Sequence, residues 1–165
     1  MRQPVVDDRV GEWVSREVGK LWHSALGYAL GWVDEEGKLL GGVTFTNYDG
    51  TTVWLDAAGV PKSRWLDRRG LFLILQYCFE QMECKQASAL VPESNTKSRK
   101  LMKQIGFDIE AKLAEAAPAG GDMLIYTMFK EDCPWLNRAT PARAENTNNE
   151  VPCGKEIEAE STDAA

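Results

Sequence analysis

Two basic clusters are the most conspicuous chemical feature of this chain. Lys62, Arg64, Arg68 and Arg69 form the first, and Lys97, Arg99, Lys100 and Lys103 form the second. Each lies where a helix is expected to follow a strand. A helix start offers free backbone N–H groups and the positive end of the helix dipole, which suits a phosphate, and arginines add charge-assisted bonds. Two solvated helix faces are the competing reading. Groups for proton transfer are scarce. His23 is the single histidine, so a multi-histidine metal site is excluded and a Ser-His-Asp triad would have to use it. Asp56, Glu93 and Tyr126 are the other candidates, each with a plain structural alternative. The four cysteines, Cys78, Cys84, Cys133 and Cys153, contain no CxxC pair, which rules out zinc-ribbon and thioredoxin spacings. Cys78 sits on an apolar helical stripe and reads as core.

The elements that would hold these residues follow from periodicity. Val6, Val10, Trp13, Val14, Val18, Leu21 and Trp22 give residues 5–22 a helical stripe, with Asp7 and Asp8 suited to a first turn. The stretches 28–34, 39–46 and 52–58 read as three antiparallel strands joined by glycine-containing turns. Gly59 and Pro61 close this meander. A helix is expected over 64–83, where Leu71, Ile74, Leu75, Cys78, Phe79 and Met82 form one face. QASALVP is a short buried strand. Ser94 or Asn95 then caps a helix that Gly106 ends, and 107–113 with 122–130 read as two last strands, although AKLAEAA by itself prefers helix. This order implies a mixed α/β sheet.

The chain has 165 residues, of which 44% are apolar and 27% charged, an ordinary globular composition. No apolar run is long enough to span a bilayer and the N-terminus has no apolar secretion segment, so the expected setting is cytoplasmic, without membrane partners. The net charge is −6, and residues 139–165 hold six acidic residues against two basic ones. Residues 138–165 are expected to form a disordered acidic tail after a folded domain at 1–137. The folded part is nearly neutral, which argues against broad nucleic-acid binding.

The run WLDRRGLFLILQYCFEQMECKQASALVPESNTKSRKLMKQIGF, followed by GDMLIYTMFKEDCPWL, resembles GCN5-related N-acetyltransferases (GNAT), and looks most like the small versions common in phages and prophages. The shared features are a helix carrying Phe79, the strand ASALV, Asn95 with Ser98, and a helix closed by Gly106-Phe107. The resemblance covers about residues 28–136. It implies a mostly antiparallel mixed sheet flanked by helices, and transfer of an acetyl group from acetyl-CoA, as cosubstrate, to an amine on a small molecule or protein. No metal is implied. A phage-encoded enzyme would work in the bacterial host cytoplasm, and a homodimer is left open.

The resemblance also implies site residues. The CoA pyrophosphate would lie on the backbone at Ser63, Arg64, Trp65, Leu66, Asp67, Arg68 and Arg69. The pantetheine arm would run beside Ala57 and Ala58, in a splay between TVWLDAA and ASALV. Asn95 would contact that arm, and Ser98 would stand near the leaving thiol. Asp56 is the first candidate for general base, Glu93 the second, and Tyr126 a further donor to the thiolate. Trp54 would line an acceptor pocket and Trp65 would stack near CoA. The chain departs from the family pattern at two places. The glycine positions of the phosphate loop fall on Ser63 and Trp65, which demands a rearranged loop, and the tyrosine often used as general acid is replaced by Met102. A GNAT-fold protein without turnover, serving a phage particle or acting on the host, is the alternative these departures raise.

Overall fold

A computed structural model describes residues 2–136; the expected tail at 138–165 lies outside the described residues. One seven-stranded sheet organises the fold, in the order β1-β2-β3-β4-β5-β7-β6. The strands are β1 (Gln3–Val5), β2 (Gly27–Val33), β3 (Leu39–Thr46), β4 (Thr52–Gly59), β5 (Gln86–Pro92), β6 (Asp108–Leu113) and β7 (Met123–Phe129). The helices are α1 (Asp8–Glu17), α2 (Arg68–Gln76) and α3 (Thr96–Ile105). Every pairing is antiparallel except that of β4 with β5.

The first helix is shorter than its stripe. Gln3–Val5 pairs with Gly31–Val33 instead of joining the helix, a contact with residues far along the chain that local periodicity does not contain. Asp7 caps α1 by accepting from the Arg9 N–H. Gly19, at φ 72°, ends it: the Lys20 N–H donates to Ser15 O and the Gly19 N–H to Arg16 O, the paired bonds of a Schellman stop. Leu21 and Trp22 therefore fall in the connection to β2. Helix α1 lies close on one face of the sheet, where Gly31 and Gly42 make room; a Cβ on either would come within 2.7 and 2.5 Å of Val10.

The main core fills the other face. Val43, Phe45 and Val53 from one half of the sheet meet Ala87, Val91, Leu124 and Met128 from the other, under Leu71, Ile74, Leu75 and Phe79. Asp67 caps α2 through the Gly70 N–H at 2.8 Å, so the helix begins at Arg68 rather than at 64. Tyr77–Gln81 continue as a π-helical turn, which carries the apolar stripe on to Met82 with one residue more than an α-turn holds. Asn95 caps α3 and Gly106, at φ 108°, closes it, as the sequence implies. The segment 108–113 is a strand despite its helical propensity, because its backbone bonds go to β7.

Candidate functional site

The parallel pair β4–β5 is joined at three positions only, Thr52–Gln86, Val53–Ala87 and Trp54–Ser88. Both strands continue beyond, to Gly59 and Pro92, each paired only with its other neighbour. Leu55–Gly59 and Ala89–Pro92 thus face one another across a split, and among the described residues no strand pairs with their inner edges. Helix α2 starts after the end of β4 and α3 after the end of β5, so both helix N-termini stand at the open end. Ala57 and Ala58 line the β4 side of the split.

The connection from β4 to α2 is held in an unusual way. Lys62 and Arg64 both have positive φ, at 67° and 50°. The Ser63 hydroxyl donates to Leu40 O at 3.1 Å, and its N–H to Val60 O. Trp65 lies flat on Gly41 and Gly59, where an added Cβ would come within 2.3 and 1.7 Å of its ring, and it packs on Trp32 with ring centroids 5.5 Å apart. Two strand glycines therefore make the seat for the Trp65 ring. Trp65 packs the loop against the sheet. Leu66 packs on the same core.

The start of α2 carries both signs of charge. Arg68 and Arg69 are exposed in the first turn, with backbone N–H groups that have no intrahelical acceptor. The Asp67 carboxylate already caps this end, and Arg2 donates both to Asp67 and to the Arg64 carbonyl. Arg2 and the strand glycines carry no motif that the sequence offers; only the tertiary arrangement brings them to this loop.

At the other helix start, Asn95 accepts from the Ser98 N–H through Oδ1 at 3.1 Å. Among the described residues this cap leaves the Asn95 NH2 without an acceptor. Ser98 is half-buried on the face of α3 that also bears Met102 and Ile105. Asn95 and Ser98 thus stand together as the sequence implies. Asp56 lies just past the last β4–β5 pair, and Lys20 grips both of its oxygens, at 2.7 and 2.8 Å. The Asp56 side chain is 11% exposed and that of Lys20 45%. The Gly19 stop on α1 is what delivers Lys20 there. Trp54 is half-buried at the last paired position.

The remaining candidates are engaged elsewhere. Glu93 pairs with Lys112 at 3.0 Å, and Lys112 also reaches Asp122 at 2.6 Å. The bonds to these two carboxylates hold the Lys112 ammonium above its ordinary range. His23 caps a short turn, its Nδ1 accepting from the Ala25 N–H at 3.2 Å. Tyr126 is buried on β7. The second basic cluster lies on α3, the helix that follows β5. Arg99, Lys100 and Lys103 line a groove of about 550 Å³ with Thr96, Phe107, Asp108, Ile109 and Tyr126. Its lining includes Asp108 and Ile109 of β6 and Tyr126 of β7, the two strands beyond β5 in the sheet order. Cys78, Cys84 and Cys133 are fully buried, and burial pushes the Cys78 and Cys84 thiols up.

No family model and no curated protein matches the chain. Solved structures do. A mutant form of the spermidine/spermine N-acetyltransferase SpeG from Vibrio cholerae is similar over 85% of this chain and 100% of that one, with a TM-score of 0.66 and 16% identity. A ribosomal-protein-S5-alanine acetyltransferase from Vibrio fischeri covers 80% of this chain and 94% of its own, with a TM-score of 0.62 and 16% identity. A GNAT-family acetyltransferase from Bacillus anthracis covers 62% and 66%, with a TM-score of 0.54 and 22% identity. The fold is therefore that of the GNAT acetyltransferases: a mixed α/β sheet, mostly antiparallel, split at its parallel pair.

Proposed function

We propose that this chain is an acetyl-CoA-dependent N-acetyltransferase. The observation that carries the reading is the split. Two parallel strands part after three pairings, and two helix N-termini with exposed arginines at the first stand at their open ends. Such a wedge offers unpaired backbone groups to the amides of a pantetheine arm and N–H donors to a diphosphate.

In this reading the first-turn N–H groups and the Arg64, Arg68 and Arg69 side chains hold the CoA phosphates. The backbone at Ala57 and Ala58 pairs with the pantetheine amides, and the free NH2 of Asn95 donates to the arm's carbonyl oxygens. The acceptor amine attacks the thioester carbonyl: a C–N bond forms, the C–S bond breaks, and the amine loses a proton. Asp56, held in place by Lys20, takes that proton directly or through a water. The Ser98 hydroxyl donates to the departing sulfur, in place of the tyrosine that Met102 replaces.

A melting-temperature scan with acetyl-CoA tests the reading. At about 100 times its dissociation constant a ligand stabilises by ~2.7 kcal/mol, so a clear rise is expected. No rise at millimolar acetyl-CoA overturns it. A rise without acetylation of any amine in a panel of peptides, polyamines and aminoglycosides leaves CoA binding without turnover.

A further inference from the structure

The groove between α3 and the β6 edge is built for an anion, and we infer that the chain's own acidic segment, residues 139–165, docks in it. The groove presents Arg99, Lys100 and Lys103 along one wall and Phe107, Ile109 and Tyr126 along the other. Asp108 is the only carboxylate among its lining residues. Arg99 donates through one guanidinium nitrogen to Glu93 O at 3.0 Å. Its buried Nε–H has no acceptor among the described residues. A buried donor without a partner costs free energy comparable to a lost hydrogen bond, and the charge of this guanidinium adds to that of Lys100 and Lys103 along the groove.

Three observations select this segment as occupant. The first is charge: residues 139–165 carry Glu145, Glu150, Glu156, Glu158, Glu160 and Asp163 against Arg143 and Lys155. The second is where the described chain ends. Trp135 donates from its ring nitrogen to Ile105 O at 2.7 Å, and Pro134 lies against Gly106. Residue 136 is therefore held at the C-terminal end of α3, beside the Lys103 and Phe107 end of the groove. The third is reach. An extended chain covers about 3.3 Å per residue, while a helix the length of α3 is ~15 Å long. Covalent connection also raises the local concentration of a segment, to roughly the millimolar range for a short tether. The arrangement is independent of whether the split binds CoA.

The full chain supplies its own probe site. Its other three cysteines are fully buried, so a nitroxide can be placed on Cys153. At about 10 mM salt, where charges act over ~30 Å, the label should broaden the amide signals of Lys100, Lys103 and Ile109. The broadening should disappear at about 1 M salt, where the range falls to ~3 Å. It should also disappear in K100E/K103E, whose two altered residues are exposed. Retained native amide shifts would show that this variant is folded. No broadening at low salt, or broadening that survives the charge reversal, overturns the proposal. So does broadening only when the label is carried by an added poly-glutamate, which would assign the groove to a separate acidic partner.

Discussion

Asp67 is the residue at which the capping chemistry of the fold and the proposed ligand chemistry compete. Its carboxylate stabilises the start of α2 but places a negative charge where a diphosphate would settle, and Arg2 compensates it only in part. Asp67→Ser keeps a capping oxygen and removes the charge. Charge at a helix end is worth ~1 kcal/mol at most on an exposed surface, so CoA should bind up to about fivefold more tightly in the variant, with the ligand-free melting point little changed. Calorimetric titration at low salt checks this. Asn95 separates two roles in a similar way. Asn95→Ala should cost about 1 kcal/mol of stability through the lost cap. Asn95→Ser should restore the cap while still lacking the amide NH2. If CoA affinity recovers fully in Asn95→Ser, Asn95 acts through the cap alone.

At the scale of elements, whatever is local is legible in the sequence. The meander strands, the strand QASALVP and the Asn95–Gly106 helix are bounded by turn and cap residues that act within a few positions. The elements that stay hidden depend on distant partners. Gln3–Val5 is a strand only because Gly31–Val33 accepts it. The apolar stripe over 64–83 is plain, but a stripe records which side is buried, not the π-helical turn at Tyr77–Gln81 nor the Asp67 cap. The glycine seat of Trp65 is hidden because it lies on two other strands. The pairing of Asn95 with Ser98 is legible from spacing, whereas the Lys20 grip on Asp56 needs both a helix stop and a strand register. Elements also set the pH response. Asp7, Asp49 and Asp122 are held below the ordinary carboxylate range by the Arg9 side chain, by the Thr52 and Thr51 N–H groups, and by Lys112 respectively. Their contribution is present above about pH 3.9, the unfolded carboxylate value, and is lost as pH falls through their lower folded values. The buried thiols act at the other limb. Unfolded thiols ionise near about pH 8.5, while Cys78 and Cys84 resist ionisation when folded, so stability should decline as pH rises past that point. Urea midpoints measured from about pH 2 to about pH 10, a range that brackets both unfolded values, should trace both limbs.

At the scale of the whole molecule, the three-position joint between β4 and β5 divides the sheet into unequal halves. Residues 3–59 close a local set of pairings, and so do residues 86–129. They share one apolar layer but very few backbone bonds. Such a division favours cooperative units that open separately. Native-state deuterium exchange should find the amides of β6 and β7 opening together, at a lower free energy than those of β2 and β3. The same protection measured throughout would instead describe a single unit. If two units are found, a ligand wedged in the split becomes a clasp: it would raise the opening energy of the weaker half toward that of the stronger. Occupancy of the split would then decide how long the second half of the chain survives a protease.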